Sequence, residues 1–133
     1  MNLSPAHQGY RNAGTLAFLS LGPSRAKIHV YDGAQPAAGA AVTTQVRLLT
    51  LILDATPGEM VGNALHLGAA AVGLIAATGA PTWARIENGN AEWAADCTAS
   101  AAGAGGEIQL EVHPVSGNLN AGGGSGLVSA VIA

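Results

Sequence analysis

Four histidines, one cysteine, eight carboxylates and a glycine run are the residues of this 133-residue chain from which reactive chemistry would have to come. His7, His29, His66 and His113 are far apart, and none belongs to a spaced ligand motif such as H-E-x-x-H, which sets two imidazoles on one helix face. Glu87 and Glu92 are near enough to share a hairpin. A general acid and base pair needs one carboxylate desolvated, however, and Arg85 and Asn90 account for both as surface partners. No serine stands in a G-x-S-x-G elbow. Gly122-Gly123-Gly124-Ser125-Gly126 lacks the lysine of a phosphate-binding loop and leads into a strand pattern, so it reads as a hinge or tether. A single cysteine, Cys97, permits neither an intramolecular disulfide nor a multi-cysteine metal site, and reads as a small buried thiol. These residues supply no catalytic residue, no cofactor site and no metal site, and the chain is expected not to be an enzyme.

Features of a binding surface remain, and a hairpin carries them. In Thr82-Trp83-Ala84-Arg85-Ile86-Glu87-Asn88-Gly89-Asn90-Ala91-Glu92-Trp93, the Asn88-Gly89 pair favours a two-residue type I′ turn, because both central positions need positive φ. That turn sets Arg85 opposite Glu92 and Glu87 opposite Asn90, while Ile86 meets Ala91 and Ala84 meets Trp93 on the other face. A turn at Gly89-Asn90 would oppose Glu87 and Glu92 as like charges, and a loop of three would set Ile86 against Glu92. The selected register predicts Trp93 in a core and Trp83 on the polar face beside Arg85. A Trp and Arg pair of that kind either anchors an interface or is covered by a loop of its own chain. Met1, Asn2, Leu3, Ser4 and Pro5 join Trp83 and Arg85 as candidate interface residues, with a frayed end as the plainer account.

The elements that must position these residues follow from periodicity. Ser4-Pro5 resembles an N-cap with proline at the first helical position, and Tyr10, Ala13, Leu16 and Ala17 supply a face for a helix over residues 6–20, ended by Gly22-Pro23. The period then changes to two. Lys27 to Tyr31, Thr43 to Leu53, Met60 to Leu67, Ala69 to Ala77, the hairpin, Glu107 to Val112 and Leu127 to Ile132 read as strands, with a flexible glycine-rich loop over residues 117–126. About eight short strands behind one N-terminal helix predict a β-sandwich of jelly-roll or Greek-key type, a single domain over residues 1–133.

Composition narrows the partners. The charged fraction is 10%, the net charge is −3, and Lys27 is the only lysine, so no basic footprint for nucleic acid exists. The run Gly68 to Ala77 is half the roughly 20 residues that span a bilayer, so no membrane is expected as a partner. Residues 1–5 show no basic and apolar leader pattern. With 19 glycines and abundant alanine the core is thin, which suits a subunit stabilised by its neighbours in an assembly.

Arg11-Asn12 in the N-terminal helix, then Lys27-Ile28-His29-Val30-Tyr31-Asp32-Gly33-Ala34-Gln35-Pro36, then Thr82-Trp83-Ala84-Arg85-Ile86 with its turn and Trp93, resemble a group of small tailed-bacteriophage virion proteins over most of residues 10–96. The chain departs from that pattern in its Ala/Gly-rich C-terminal third. Members of this type resemble capsid decoration, or cement, proteins: jelly-roll subunits on the outer surface of an icosahedral head that clamp neighbouring capsomers. The resemblance implies the major capsid protein as partner, self-association into a homo-oligomer, and a place on the outer capsid surface after synthesis in the host cytoplasm. A second class is a tail or fibre β-sandwich module binding host-surface carbohydrate, with Trp83 stacked on a sugar ring.

Overall fold

The computed structural model describes residues 1–133. The helix α1, Pro5–Leu19, begins as its sequence requires: the Ser4 hydroxyl accepts from the His7 N–H at 3.2 Å and Pro5 takes the first turn, where an N–H would lack a partner. Its buried positions are Gly9, Asn12 and Leu19, with Leu16 packed on the core; Tyr10, expected on the buried face, is 82% exposed. The correction has a simple cause. The docked stripe includes a glycine and an asparagine that no hydropathy pattern marks as buried.

Ten strands follow: β1 Lys27–Tyr31, β2 Arg47–Ile52, β3 Gly58–Val61, β4 Ala64–Leu67, β5 Gly73–Leu74, β6 Trp83–Glu87, β7 Trp93–Ala101, β8 Ile108–Leu110, β9 Gly124–Ser125 and β10 Leu127–Ile132. Eight of them form one sheet in the order β2-β1-β6-β7-β8-β10-β4-β3, and β5 pairs with β9. Every pairing in the large sheet is antiparallel except β7 with β8, which is parallel. The sheet curls until its flanks meet. Beyond the end of β2 the Asp54 N–H donates to Gly68 O beyond β4 at 3.0 Å, and the Ala76 N–H, past β5, donates to Leu48 O at 2.7 Å. One cluster of 19 buried residues fills the curl, with Ile28, Leu48, Leu51, Leu65, Ile86 and Ile108 all at 0% exposure. A mainly β, sandwich-like fold with one short N-terminal helix is thus what the chain adopts.

The alternation read at Glu107–Val112 holds through β8, where Ile108 and Leu110 are buried and Gln109 is half-buried. Three expectations need correction. The single strand expected over Met60–Leu67 is the hairpin of β3 and β4, which turns at Gly62, at φ 62°. The strand expected over Ala69–Ala77 shrinks to Gly73–Leu74, since alanine offers too little apolar area to hold a longer ladder. The tether expected over residues 117–126 is ordered: Leu119 and Ser125 are buried, Leu119 and Gly79 exchange backbone bonds at 2.9 and 3.0 Å, and the Ser125 hydroxyl donates to Glu111 O at 2.7 Å. No helix is long and apolar enough to cross a membrane.

Candidate functional site

The hairpin is built differently from the expected register. Asn88 and Glu92 close a loop of Gly89, Asn90 and Ala91: the Asn88 N–H donates to Glu92 O at 3.1 Å, and the Ala91 N–H to Asn88 O at 3.0 Å. Ala91 takes the left-handed position, at φ 60°, that a turn of this length requires. The buried Asn88 side chain accepts from the Asn90 and Glu92 N–H groups at 2.9 and 3.0 Å and so replaces the type I′ hydrogen bonding. Gly89 is required for another reason. An added Cβ there would fall 1.9 Å from Ser24 O, where the chain leaving α1 crosses the loop.

The longer loop, with a register shift between Ile86 and Glu87, sets Glu87 opposite Trp93, Ile86 opposite Ala95, Arg85 opposite Asp96 and Ala84 opposite Cys97. Trp93 therefore leaves the core and is 47% exposed. The charge pairs move as well. Arg85 bonds Asp96 rather than Glu92, Glu87 meets His29 rather than Asn90, and Glu92 accepts from Asn88 Nδ2 and Asn90 Nδ2 at 3.1 and 3.3 Å.

The face assignment along β6 survives, because alternation does not depend on register. Trp83, Arg85 and Glu87 share the outer face, opposite Ala84 and Ile86 in the core. Trp83 is nevertheless at 0% exposure, so the expectation of an exposed Trp83 and Arg85 anchor, and of a sugar stacked on Trp83, is corrected. The ring stacks on Tyr31 with centroids 4.5 Å apart, the Arg85 guanidinium stands 5.4 Å from its centroid, and its N–H donates to Asp32 O at 3.1 Å. Residues 32–46 strap over this face: Arg85 Nη2 donates to Ala40 O at 2.8 Å, and Thr82 Oγ1 donates to Gly33 O at 2.7 Å.

Asp96 is the knot of the strap. Its side chain, 1% exposed, accepts from Arg85 Nε at 2.7 Å, Arg85 Nη2 at 3.0 Å, the Gly39 N–H at 3.1 Å and Trp93 Nε1 at 3.1 Å. Burial by itself would raise its carboxyl, but the hydrogen bonds from Arg85, Gly39 and Trp93 outweigh it and hold the group below the usual carboxylate range. The same Asp96 hydrogen bond, against an opposing effect of burial, raises Arg85.

A second constellation on this face has no counterpart in any local motif. His29 Nδ1 meets Thr50 Oγ1 at 2.8 Å and His29 Nε2 meets Glu87 Oε1 at 2.8 Å, a hydroxyl, imidazole and carboxylate in line across β2, β1 and β6. The only signal available was that all three lie on outward positions of strands. None of the surface hollows is lined by Thr50 or His29, and the three act as a tie that holds the β2 flank to the sheet.

Elsewhere, no three His, Cys, Asp or Glu side chains converge as a metal-binding group. Cys97 is buried, and burial, followed by the Glu107 and Asp96 charges, pushes its thiol up to about 12. Met1 is fully exposed, Leu3 is half-buried, and Asn2, Ser4 and Pro5 are exposed. Asn12, whose pairing with Arg11 carries part of the resemblance, has a structural task. Its Nδ2 donates to Asn63 O at 2.8 Å and to Ile132 O at 3.1 Å, joining α1 to the β3–β4 turn and to the end of β10. No family model, curated protein or solved structure matches the chain.

Proposed function

We propose that this chain is a capsid decoration subunit of a tailed bacteriophage, which binds the outer surface of the head and stabilises it by bridging neighbouring major capsid proteins. In this reading it is a structural protein and not an enzyme. The observation that carries it is the character of the surface: Val72, Leu74, Val115, Val128 and Trp93 stand 47–89% exposed on a chain in which only 10% of residues are charged. Apolar area left in water costs about 25 cal/mol per Å², and a neighbouring subunit removes that cost. High copy number on a shell lets many small contacts of this kind act together without a deep pocket. Sparse charge also limits repulsion between close-packed copies.

The resemblance over residues 10–96 supports the same reading. The test is to add the purified chain to heads of the cognate phage that lack it. Stoichiometric binding and a higher temperature of head rupture are expected. Failure to bind intact heads, or binding to tails or cells in their place, overturns the proposal.

A further inference from the structure

The loop that follows β8 is organised by one imidazole. The Val115 and Ser116 N–H groups donate to His113 Nδ1 at 3.2 and 3.3 Å, and neither has a backbone acceptor. The base of the loop is closed separately, by the His113 N–H to Asn118 O and the Gly117 N–H to His113 O, both at 2.9 Å. Pro114 has no N–H to add, and the Val115 side chain, 89% exposed, contributes little packing. The conformation of the loop tip therefore depends on a lone pair at Nδ1.

A backbone N–H only donates, so Nδ1 is the acceptor and the proton of the neutral ring sits on Nε2. A second proton has to go onto Nδ1, where it removes the acceptor and points a new N–H at two others. His29 is arranged otherwise: its Nδ1 meets the Thr50 hydroxyl and its Nε2 the Glu87 carboxylate, both at 2.8 Å. A hydroxyl either donates or accepts, and an ionised carboxylate accepts only, so both of those bonds survive protonation of the ring. Of these two bonded imidazoles, only His113 holds partners that its charged form must repel.

Charged groups around the ring are few. The hollow that His113 lines also takes in Ile75, Leu119, Gly123 and Gly124, none of them ionisable, and Glu111, just past the end of β8, is its one other titratable residue. The Glu111 carboxyl lies toward Gly126, where an added Cβ would stand 3.7 Å from it. We propose that His113 is a proton-operated latch: the neutral ring fixes the 113–118 loop and its Val115 tip, and uptake of a second proton releases them. Histidine is the side chain that ordinarily changes charge between about pH 5 and 8, so mild acidification is the trigger. The inference goes beyond the capsid reading and is tested on the isolated chain.

NMR of the full chain, titrated from about pH 8 to about pH 5, provides the test. The Val115 and Ser116 amide protons are expected to shift upfield, as lost hydrogen bonds require, along one curve with the His113 ring protons, and both amides to lose their heteronuclear NOE. His113→Asn sets an amide oxygen where Nδ1 stands and has no proton to gain, so the two amides should stay downfield throughout. His113→Ala should show the released positions from the start of the titration. Glu111→Gln is expected to keep the coupling, which separates the ring from its acidic neighbour. Circular dichroism checks each variant; if His113→Asn fails to fold, the wild-type titration and His113→Ala decide the matter. Amides that hold still across the range, that shift equally in His113→Asn, that remain downfield in His113→Ala, or whose shift vanishes in Glu111→Gln overturn the proposal. Failure to bind heads at any pH counts against the capsid reading alone.

Discussion

Trp83 is held at 0% exposure between the Tyr31 ring, the Arg85 guanidinium and the 32–46 strap, whereas Trp93 on the neighbouring strand remains 47% exposed with only its N–H secured. Both indoles donate a hydrogen bond, so polarity does not separate them. The difference lies in what covers each ring. A loop from the same chain closes over the first, and the second lines a groove together with Gly14 and Phe18 of α1. Asp96 joins the two regions, because one carboxylate holds the strap through Arg85 and Gly39 and orients Trp93 as well. One outward face thus contains a covered aromatic cluster and a half-exposed indole a few residues apart.

Replacing the first ring should have the largest effect. Trp83→Ala removes a fully buried aromatic and its bond to Asp32 O, and should cost about 3–5 kcal/mol in urea denaturation. A loss near that of an exposed Trp would break the contrast between the two sites. Asp96→Asn comes next, at about 2–3 kcal/mol, since charge-assisted hydrogen bonds are lost and Arg85 keeps its charge without an answer.

The same group gives a pH dependence whose sign follows from its lowered pKa. Its stabilising contribution is complete above the unfolded carboxylate value of about 4 and is lost as pH falls through the lower folded value. Urea midpoints measured from neutral pH to about pH 3 should therefore decline less steeply in Asp96→Asn than in the wild type.

A smaller effect is expected in the loop that determines where Trp93 points. Ala91 sits at φ 60°, so Ala91→Gly should stabilise the protein by about 1 kcal/mol and raise its melting temperature without moving Trp93. The smallest is Trp93→Ala, which should change monomer stability by less than about 1 kcal/mol, seen as a nearly unchanged midpoint under dilute conditions. A large loss there would mean that Trp93 is part of the core after all.

The hairpin shows how far the residues could be read. Alternation fixes that Trp83, Arg85 and Glu87 share a face, and the structure keeps that result. Opposite-charge matching chose the wrong register, because the Asn88 side chain caps a longer loop and a non-glycine residue fills its left-handed position, which local preference disfavours. Asp96, the true partner of Arg85, lay in view beyond the assumed pairing. His29, Thr50 and Glu87 could not have been joined from sequence, since 21 and 58 residues separate His29 from its two partners and only the strand order brings them together. Asn12 was hidden for a related reason: its burial depends on acceptors at Asn63 and Ile132, 51 and 120 residues away.

By itself the chain determined the helix and its cap at Ser4, the inward side of β1, β6 and β8, and the sparse charge of its outside. These are local properties, set by backbone sterics and side-chain spacing over a few residues. Tertiary structure alone decided which tryptophan was covered, which carboxylate met Arg85, and how the glycine-rich 117–126 segment became ordered. Each of those outcomes depends on which distant segment arrives above a given face, and burial energy is gained only once both are in place.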